Sequence, residues 1–201
     1  MKIPEFKIRT DLALEEREGL KEAAEEVSGV SFKKWEGKRS AAQITEVKVL
    51  NEHGAKALGK PMGSYLTLEA DKLLMPDEDF HSEVSDELAL LLKGLLKQKT
   101  GKNILVAGLG NQSVTPDSLG PRTVSNLCVS AEGLKAIAPG VMAQTGMETA
   151  RILLGIIKEV QPDLVIAIDA LAARSIRRLG TTIQLTDTGI HPGSGVGNHR
   201  R

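Results

Sequence analysis

Two long apolar runs dominate the second half of the chain, and each leads to an aspartate. The first run lies within 103–111 and continues to Asp117, and the second covers 163–169 and ends on Asp169. A helical pattern of apolar positions separates them. Continuous apolar runs joined by a helix are typical of neighbouring strands in a buried parallel sheet, whose carboxyl ends open on one crevice. The pattern therefore predicts an α/β core in which both carboxylates meet.

Shorter and more polar elements are predicted in the first half. Residues 12–27 have helical spacing, whereas 43–50 and 64–69 alternate as strands do, with a turn-prone stretch at 51–54 between them. A polar break at 76–79 precedes a helix with a leucine face, formed by Leu88, Leu91, Leu92, Leu95 and Leu96. These patterns predict a helix followed by a small strand-rich lobe.

Several boundaries in the second half follow from local signals. Thr145 and Glu148 have the spacing of a capping box for the helix that precedes the second run. Residues 172–178 are expected to form a short helix and 181–185 a strand, and 188–198 is a glycine-rich loop.

Composition narrows the class of protein. The 201 residues contain 26 Lys plus Arg and 26 Asp plus Glu, so no basic excess favours direct nucleic-acid binding. No membrane span is present in the sequence, and the start lacks a secretory signal, which favours the cytoplasm. The one cysteine, Cys128, lies between Leu127 and Val129 and is expected to be buried.

The two aspartates allow two interpretations. Paired carboxylates in a partly dry site cannot easily both ionise, so one keeps a proton and the pair can act as acid and base. Alternatively, Asp117 caps a helix beginning near Ser118, and Asp169 caps one beginning near Ala170. Both interpretations remain open from these residues alone.

Two other motifs are weaker. Gly108-Leu109-Gly110 follows a strand as a dinucleotide loop does, but Ser113 stands where a third glycine is needed, so the glycines are expected to permit a tight turn that places Asp117. No cofactor is expected. Ser194 lacks the flanking glycines of a nucleophile elbow. His191 could bind a divalent metal together with the two aspartates, although a histidine that merely packs in its loop is favoured.

Five further motifs span 108–111, 114–121, 139–142, 166–175 and 191–198, with 9–13 and 65–69 in support. Together they resemble one known family, the germination proteases of spore-forming bacteria. The resemblance implies a central twisted, mostly parallel sheet flanked by helices, as in hydrogenase-maturation peptidases. It implies an endopeptidase, made as a zymogen, that degrades small acid-soluble spore proteins during germination. Catalytic roles for Asp117 and Asp169, a homotetramer and a location in the spore core are implied in the same way.

The resemblance also gives the N-terminus a role. Substrates of the family are cut after an acidic residue and before an apolar residue followed by alanine, and residues 10–15 have that character. The chain is thus expected to cut itself between Asp11 and Leu12. The expected domains are a propeptide at 1–11, a helix with a small lobe at 12–85, and a protease core at 86–201.

Two alternatives to an aspartate-based protease remain open. The first is a metal-dependent peptidase that uses Asp117, Asp169 and His191. The second is a non-catalytic module that binds a peptide or an anion. Family members are expected to continue well beyond residue 201, so the activity of this chain by itself is not predicted.

Overall fold

A computed structural model describes residues 10–21, 27–96, 103–129 and 133–190. The chain divides into two compact units. The first unit consists of residues 1–97 and 171–188, and the second consists of 98–170 and 189–201. The domain boundaries expected from the sequence stay a prediction.

In the first unit, an antiparallel sheet of four strands has the order β1-β2-β3-β7. The strands are β1 Val30–Glu36, β2 Gln43–Val49, β3 Gly63–Glu69 and β7 Thr182–Thr186. The helices are α1 Ala13–Lys21, α2 Glu52–Leu58 and α3 Glu78–Leu96. The strands expected at 43–50, 64–69 and 181–185 are confirmed, and β7 pairs with β3.

Alternating side chains give this sheet a core on each face. Ile44 and Leu68 are cross-strand partners on one face, and they join a cluster with Phe80 and Val84 of α3. Val47 pairs with Tyr65 on the other face, in a cluster that also contains Ala13, Val49 and Leu58. The period of two along a strand therefore accounts for the two cores.

Two elements of this unit differ from the prediction. The turn expected at 51–54 is instead the start of α2, because the Asn51 side chain accepts a hydrogen bond from Gly54 N at 2.9 Å and caps the helix. Helix α3 is confirmed, but its buried residues are Phe80, Val84 and Glu87, whereas the leucine face is only partly buried in the described structure.

The second unit contains a parallel sheet with the order β5-β4-β6, which confirms the α/β fold class. Its strands are β4 Ile104–Gly108, β5 Leu134–Ile137 and β6 Leu164–Ile168. Its helices are α4 Leu119–Ser125, α5 Met142–Thr145 and α6 Thr149–Val160. Strand β4 is central and buried as expected, whereas β6 alternates in exposure and Val165 is 38% exposed.

Three local predictions for the second half are wrong. Thr145 ends α5, and Glu148 precedes α6 without a capping bond and pairs with Arg151, so the two residues form no capping box. Residues 172–178 contain only a 3-10 turn, Ile176–Arg178. Cys128 is exposed, because its apolar neighbours follow α4 in a loop rather than entering a strand. No helix in the described residues is long and apolar enough to cross a membrane.

Helix α1 is held in the first unit by a buried carboxylate. Glu15 is 3% exposed and accepts hydrogen bonds from Arg174 N at 2.6 Å, Ser175 N at 2.9 Å and Arg178 Nη1 at 3.2 Å. Burial alone would raise the pKa of Glu15, but the hydrogen bonds from Thr10, the two backbone amides and Arg178 together lower it.

Arg178 connects this carboxylate to two others. Its Nε donates to Glu69 Oε1 at 2.8 Å, and its Nη1 and Nη2 donate to the carboxylate of Glu18 at 2.8 and 2.9 Å. The guanidinium therefore bridges α1, β3 and the 3-10 turn. These carboxylates raise the pKa of Arg178, chiefly through Glu18 and against the cost of burial.

The buried ion pair of Glu15 and Arg178 should make a large contribution to the stability of the first unit. Glu15→Gln leaves the Arg178 guanidinium with one carboxylate fewer and weakens the bonds to the 174–175 amides, so the free energy of unfolding should fall by roughly 3 kcal/mol. Urea unfolding followed by the fluorescence of Trp35, which lies in β1, would measure this. Glu46→Gln, which removes the partly exposed pair with Lys48, should cost less than about 1 kcal/mol. Equal losses in both variants would contradict the prediction.

The same carboxylate predicts how stability depends on pH. Because folding lowers the pKa of Glu15, its contribution is complete above the pKa of the unfolded chain and disappears as pH falls through the lower folded value. The wild-type chain should therefore lose stability in acid more steeply than Glu15→Gln, since the variant lacks this proton uptake. Urea midpoints from neutral to acidic pH, read by Trp35 fluorescence, would test this, and parallel curves would refute it.

Candidate active site

The carboxyl edge of β4 and β6 brings both aspartates to one side of the second unit. Leu109 N donates to Ile168 O at 2.7 Å, which continues the pairing of the two strands beyond Gly108. Asp169 follows Ile168 directly. On the other strand, Gly110 follows Leu109 and packs so closely against Asp117 that an added Cβ would collide with the Asp117 carbonyl oxygen. Asp117 and Asp169 are therefore attached to adjacent points of this edge.

Glycines make this close approach possible. Gly110 has a φ of +113°, which side chains disfavour, and a Cβ there would collide with the backbone of Asp117. At the start of α4, an added Cβ on Gly120 would collide with the carbonyl oxygens of Leu109 and Ile168. The turn that contains Asp117 and the start of α4 therefore pack directly against the ends of β4 and β6.

Asp117 lies in the 3-10 turn Thr115–Asp117 and is half-buried. Asn111 N donates to Asp117 Oδ2 at 2.8 Å and to the Asp117 carbonyl at 3.0 Å. Helix α4 begins after Ser118, which makes no side-chain capping bond. The Asp117 carboxylate therefore faces the turn after β4 and does not cap α4.

Asp169 also lacks the helix that the capping interpretation requires. Its Oδ1 accepts a hydrogen bond from Ala170 N at 2.8 Å, and residues 169–173 form no helix. The capping interpretation from the sequence is thus wrong for both aspartates, and the catalytic interpretation stays a prediction.

Asn111 carries a side chain that the sequence analysis did not single out. Its Oδ1 accepts hydrogen bonds from Ser113 N at 3.0 Å and Gln144 Nε2 at 2.8 Å. Gln144 Oε1 in turn accepts from Val141 N at 3.4 Å. The sequence offered only a weak signal, an asparagine directly after the glycine turn, and none at all for Gln144.

An open cavity of about 590 Å³ adjoins the turn that holds Asp117. It is lined by Thr115, Ser118, Leu119, Arg122, Thr123, Asn126 and Leu127. Leu119 is 54% exposed there, and Arg122 is the cation of the lining. A cavity with an apolar wall and one cation can accept a peptide segment that carries an apolar and an acidic side chain.

Two of the three suggested metal ligands, Asp117 and Asp169, lie in the described part of the chain. No group of three or more His, Cys, Asp or Glu side chains there is arranged to hold a metal ion. His191, which the sequence suggested as a third ligand, and Ser194 lie outside the described residues.

The expected cleavage site lies within the first unit. Leu12 and Ala13 are fully buried. The Asp11 carbonyl accepts hydrogen bonds from Lys60 Nζ at 2.9 Å and Gln184 Nε2 at 3.2 Å, and Gln184 Oε1 accepts from Ala13 N at 3.0 Å. The Gln184 amide therefore spans the Asp11–Leu12 bond on both sides.

Asp11 is fixed by further bonds to one neighbouring residue. Its backbone N donates to Ala172 O at 2.8 Å, and its Oδ2 accepts from Ala172 N at 2.9 Å. The Asp11–Leu12 peptide bond is consequently held in place by hydrogen bonds to Asp11 on one side and to Ala13 on the other.

Comparison with known proteins gives one consistent result. A family model described as germination protease matches residues 8–201. Germination protease from Caldanaerobacter subterraneus subsp. tengcongensis is 50% identical over 96% of this chain and 63% of its own length. Germination proteases from Oceanobacillus iheyensis and Clostridium perfringens are 44% and 41% identical over 98% and 97% of the chain, and 59% and 64% of their own lengths.

The chain thus spans about three fifths of the length of these curated relatives. The matched region includes the glycine turn, Asp117 and Asp169. On the family model and on these identities, the chain belongs to the germination protease family.

Proposed function

We propose that this chain carries the catalytic aspartates of an endopeptidase that degrades small acid-soluble spore proteins during germination. The observation that supports this most is the placement of Asp117 and Asp169 at one strand edge, where neither carboxylate caps a helix. Family membership supports the reaction class, and the resemblance set out above supports the substrate. The protein would act in the cytoplasm of the spore, as a homotetramer.

In the proposed mechanism the two carboxylates divide the work. The ionised aspartate takes a proton from a water molecule as that water attacks the scissile carbonyl carbon. The protonated partner donates to the carbonyl oxygen and so stabilises its developing negative charge. The glycines at positions 110 and 120 support a shared site for the two aspartates, because they let the turn and the helix approach the strand ends without a side chain between them.

Self-processing between Asp11 and Leu12 forms part of the proposal. A protease needs an extended and accessible substrate segment, whereas here Leu12 and Ala13 are buried and the Asp11 carbonyl is bound by Lys60 and Gln184. Cleavage must therefore follow local release of residues 10–13, and the contacts of Gln184 oppose that release. The intact N-terminus would then mark the inactive form.

Two other functions would use the same residues differently. A metal-dependent peptidase would bind its ion through Asp117, Asp169 and His191, and a chelator would abolish its activity. A non-catalytic module would bind a peptide in the cavity beside Asp117 without cleaving it. The experiment below separates both from the proposal.

Replacing either aspartate should abolish cleavage and preserve the fold. We expect Asp117→Asn and Asp169→Asn to cut a small acid-soluble spore protein at least about 100-fold more slowly than the wild-type chain, since acid–base groups contribute that much or more. Product release with and without chelator, read by mass spectrometry, gives the rates. Asp163→Asn is the matched control, because Asp163 lies at the opposite end of β6 and its side chain binds Asn103 N.

Each outcome of this experiment decides between the functions. Loss in both aspartate variants, retained activity in Asp163→Asn and insensitivity to chelator support the proposal. Chelator inhibition that a divalent ion reverses supports the metal-dependent peptidase. Peptide binding by a wild-type chain that cleaves nothing supports the binding module.

Weakening the contacts around the cleavage site should accelerate self-processing. Gln184→Leu removes two hydrogen bonds that span the Asp11–Leu12 bond, so release of residues 10–13 and hence processing should become on the order of tenfold faster. N-terminal sequencing over time gives both rate and position, and the new N-terminus should be Leu12. Adding Asp117→Asn should block the accelerated processing. Cleavage at another bond would refute the assigned site, and an unchanged rate would refute the role of Gln184.

A further inference from the structure

The side-chain amide of Asn111 is fixed in one orientation by backbone groups. Ser113 N can only donate, so the Asn111 atom that it contacts at 3.0 Å must be the oxygen Oδ1. Val141 N likewise requires that Gln144 present Oε1 to it, so Gln144 offers Nε2 to Asn111 Oδ1 at 2.8 Å. The backbone N–H groups of Ser113 and Val141 therefore determine which atom donates and which accepts in each of these three hydrogen bonds.

This orientation leaves the donor side of the Asn111 amide available. Both recorded side-chain bonds of Asn111 are made by Oδ1. Within the described ranges, no acceptor is recorded for the two protons of Nδ2. A donor that is held rigidly and is not engaged costs little to reorganise when a substrate oxygen arrives.

Asn111 shares the turn after β4 with Asp117. The backbone N of Asn111 donates to the Asp117 carboxylate at 2.8 Å, so the Asn111 side chain starts at the residue that contacts that carboxylate. Asn111 also directly follows Gly110, where the backbone of Asp117 approaches most closely. One residue therefore binds the carboxylate with its backbone N–H and also carries a side-chain amide whose donor is not engaged.

We propose that Asn111 is a catalytic residue whose Nδ2–H donates to the oxygen of the scissile carbonyl, and that Gln144 is the positioning residue that holds its amide. The proposal rests on the proposed function, proteolysis at Asp117 and Asp169. It adds a neutral hydrogen-bond donor to the two carboxylates. It also gives the hydrogen bonds that join Val141, Gln144 and Asn111 a role in catalysis as well as in stabilising a turn.

The step is balanced without any further reactant. The water oxygen forms a bond to the carbonyl carbon while one water proton passes to the ionised aspartate, and the carbonyl π electrons move onto its oxygen. That oxygen then receives hydrogen bonds from Asn111 Nδ2 and from the protonated aspartate. When the C–N bond breaks, the electron pair returns to re-form the carbonyl, and the leaving nitrogen takes a proton from a carboxyl group.

The substitution Asn111→Asp tests the donor separately from the turn. An aspartate side chain keeps an oxygen that can accept from Ser113 N and Gln144 Nε2, but it replaces Nδ2 with a second acceptor. With a synthetic peptide carrying the sequence of residues 10–15, kcat at neutral pH should fall on the order of 100-fold while KM changes less than about threefold. Thermal unfolding should remain close to that of the wild-type chain.

Gln112→Glu is the matched control for charge. Gln112 is exposed in the same turn and makes no recorded side-chain bond, so this variant adds the same negative charge without altering the Asn111 amide. Its kcat should stay within about twofold of wild type. An equal loss of kcat in Gln112→Glu and Asn111→Asp would overturn the proposal, because charge alone would then explain the effect.

Gln144→Leu tests the positioning role. It should lower kcat by about tenfold in the wild-type background, since the Asn111 amide loses one of two restraints. In the Asn111→Asp background it should have no further effect, because the donor that it positions is already gone. Additive losses would overturn the assignment of Gln144 as a residue that acts through Asn111.

The outcomes separate this proposal from the proposed function. Full activity of Asn111→Asp combined with an inactive Asp117→Asn would overturn the role of Asn111 and leave the protease intact. A wild-type chain that does not cleave the peptide would overturn both. A selective loss of kcat in Asn111→Asp, with Gln112→Glu unaffected, supports the donor.

Discussion

The hydrogen bond from Leu109 N to Ile168 O is the constraint on which the candidate site depends. It extends the β4–β6 pairing beyond the regular strands, so the segments that follow β4 and β6 leave the sheet side by side. Gly110 and Gly120 then bring the Asp117 turn and helix α4 onto that point, at distances that no Cβ would tolerate. A side chain at either glycine would push Asp117 or α4 away from the end of β6, while each strand itself could still form.

The turn after β4 does more than position a carboxylate. Asn111 contacts Asp117 through its backbone and Gln144 through its side chain, so the loop before α4 and helix α5 are linked by specific hydrogen bonds. Such links restrict the rotamers of the groups they join, which is the condition for preorganised electrostatic stabilisation. The same bonds would be of little value if Asp117 merely capped α4, because a cap is satisfied within its own helix.

The fold class was predictable because its signals are long and local. The run at 103–111 lies on a central strand, and its continuous apolar character correctly indicated burial between two neighbours. The run at 163–169 looked equivalent but belongs to β6, whose described neighbour is β4 alone, and its side chains alternate in exposure. A sequence states how apolar a strand is and not how many partners it has. The prediction that Cys128 is buried was wrong for a related reason, since its apolar neighbours lie in a loop.

The positions of the two aspartates were predictable, whereas their catalytic roles stay a prediction. Asp117 and Asp169 follow apolar runs, so their place at the strand ends could be inferred, and the roles came only from the resemblance to a family. The Asn111–Gln144 pair could not be found, because these residues are 33 positions apart and neither is unusual for a loop or a helix.

The burial of the Asp11–Leu12 bond could not be predicted from the sequence either. Its partners, Lys60, Ala172 and Gln184, come from three separate segments that only the folded first unit brings together. A sequence motif can identify a bond that a protease would recognise, but it cannot show whether the fold holds that bond. Here the acidic and apolar residues that match the proposed cleavage site are the same ones that the fold binds. Under the proposed self-processing, recognition and protection therefore compete for one segment, and the free energy of its release limits how often the bond becomes available.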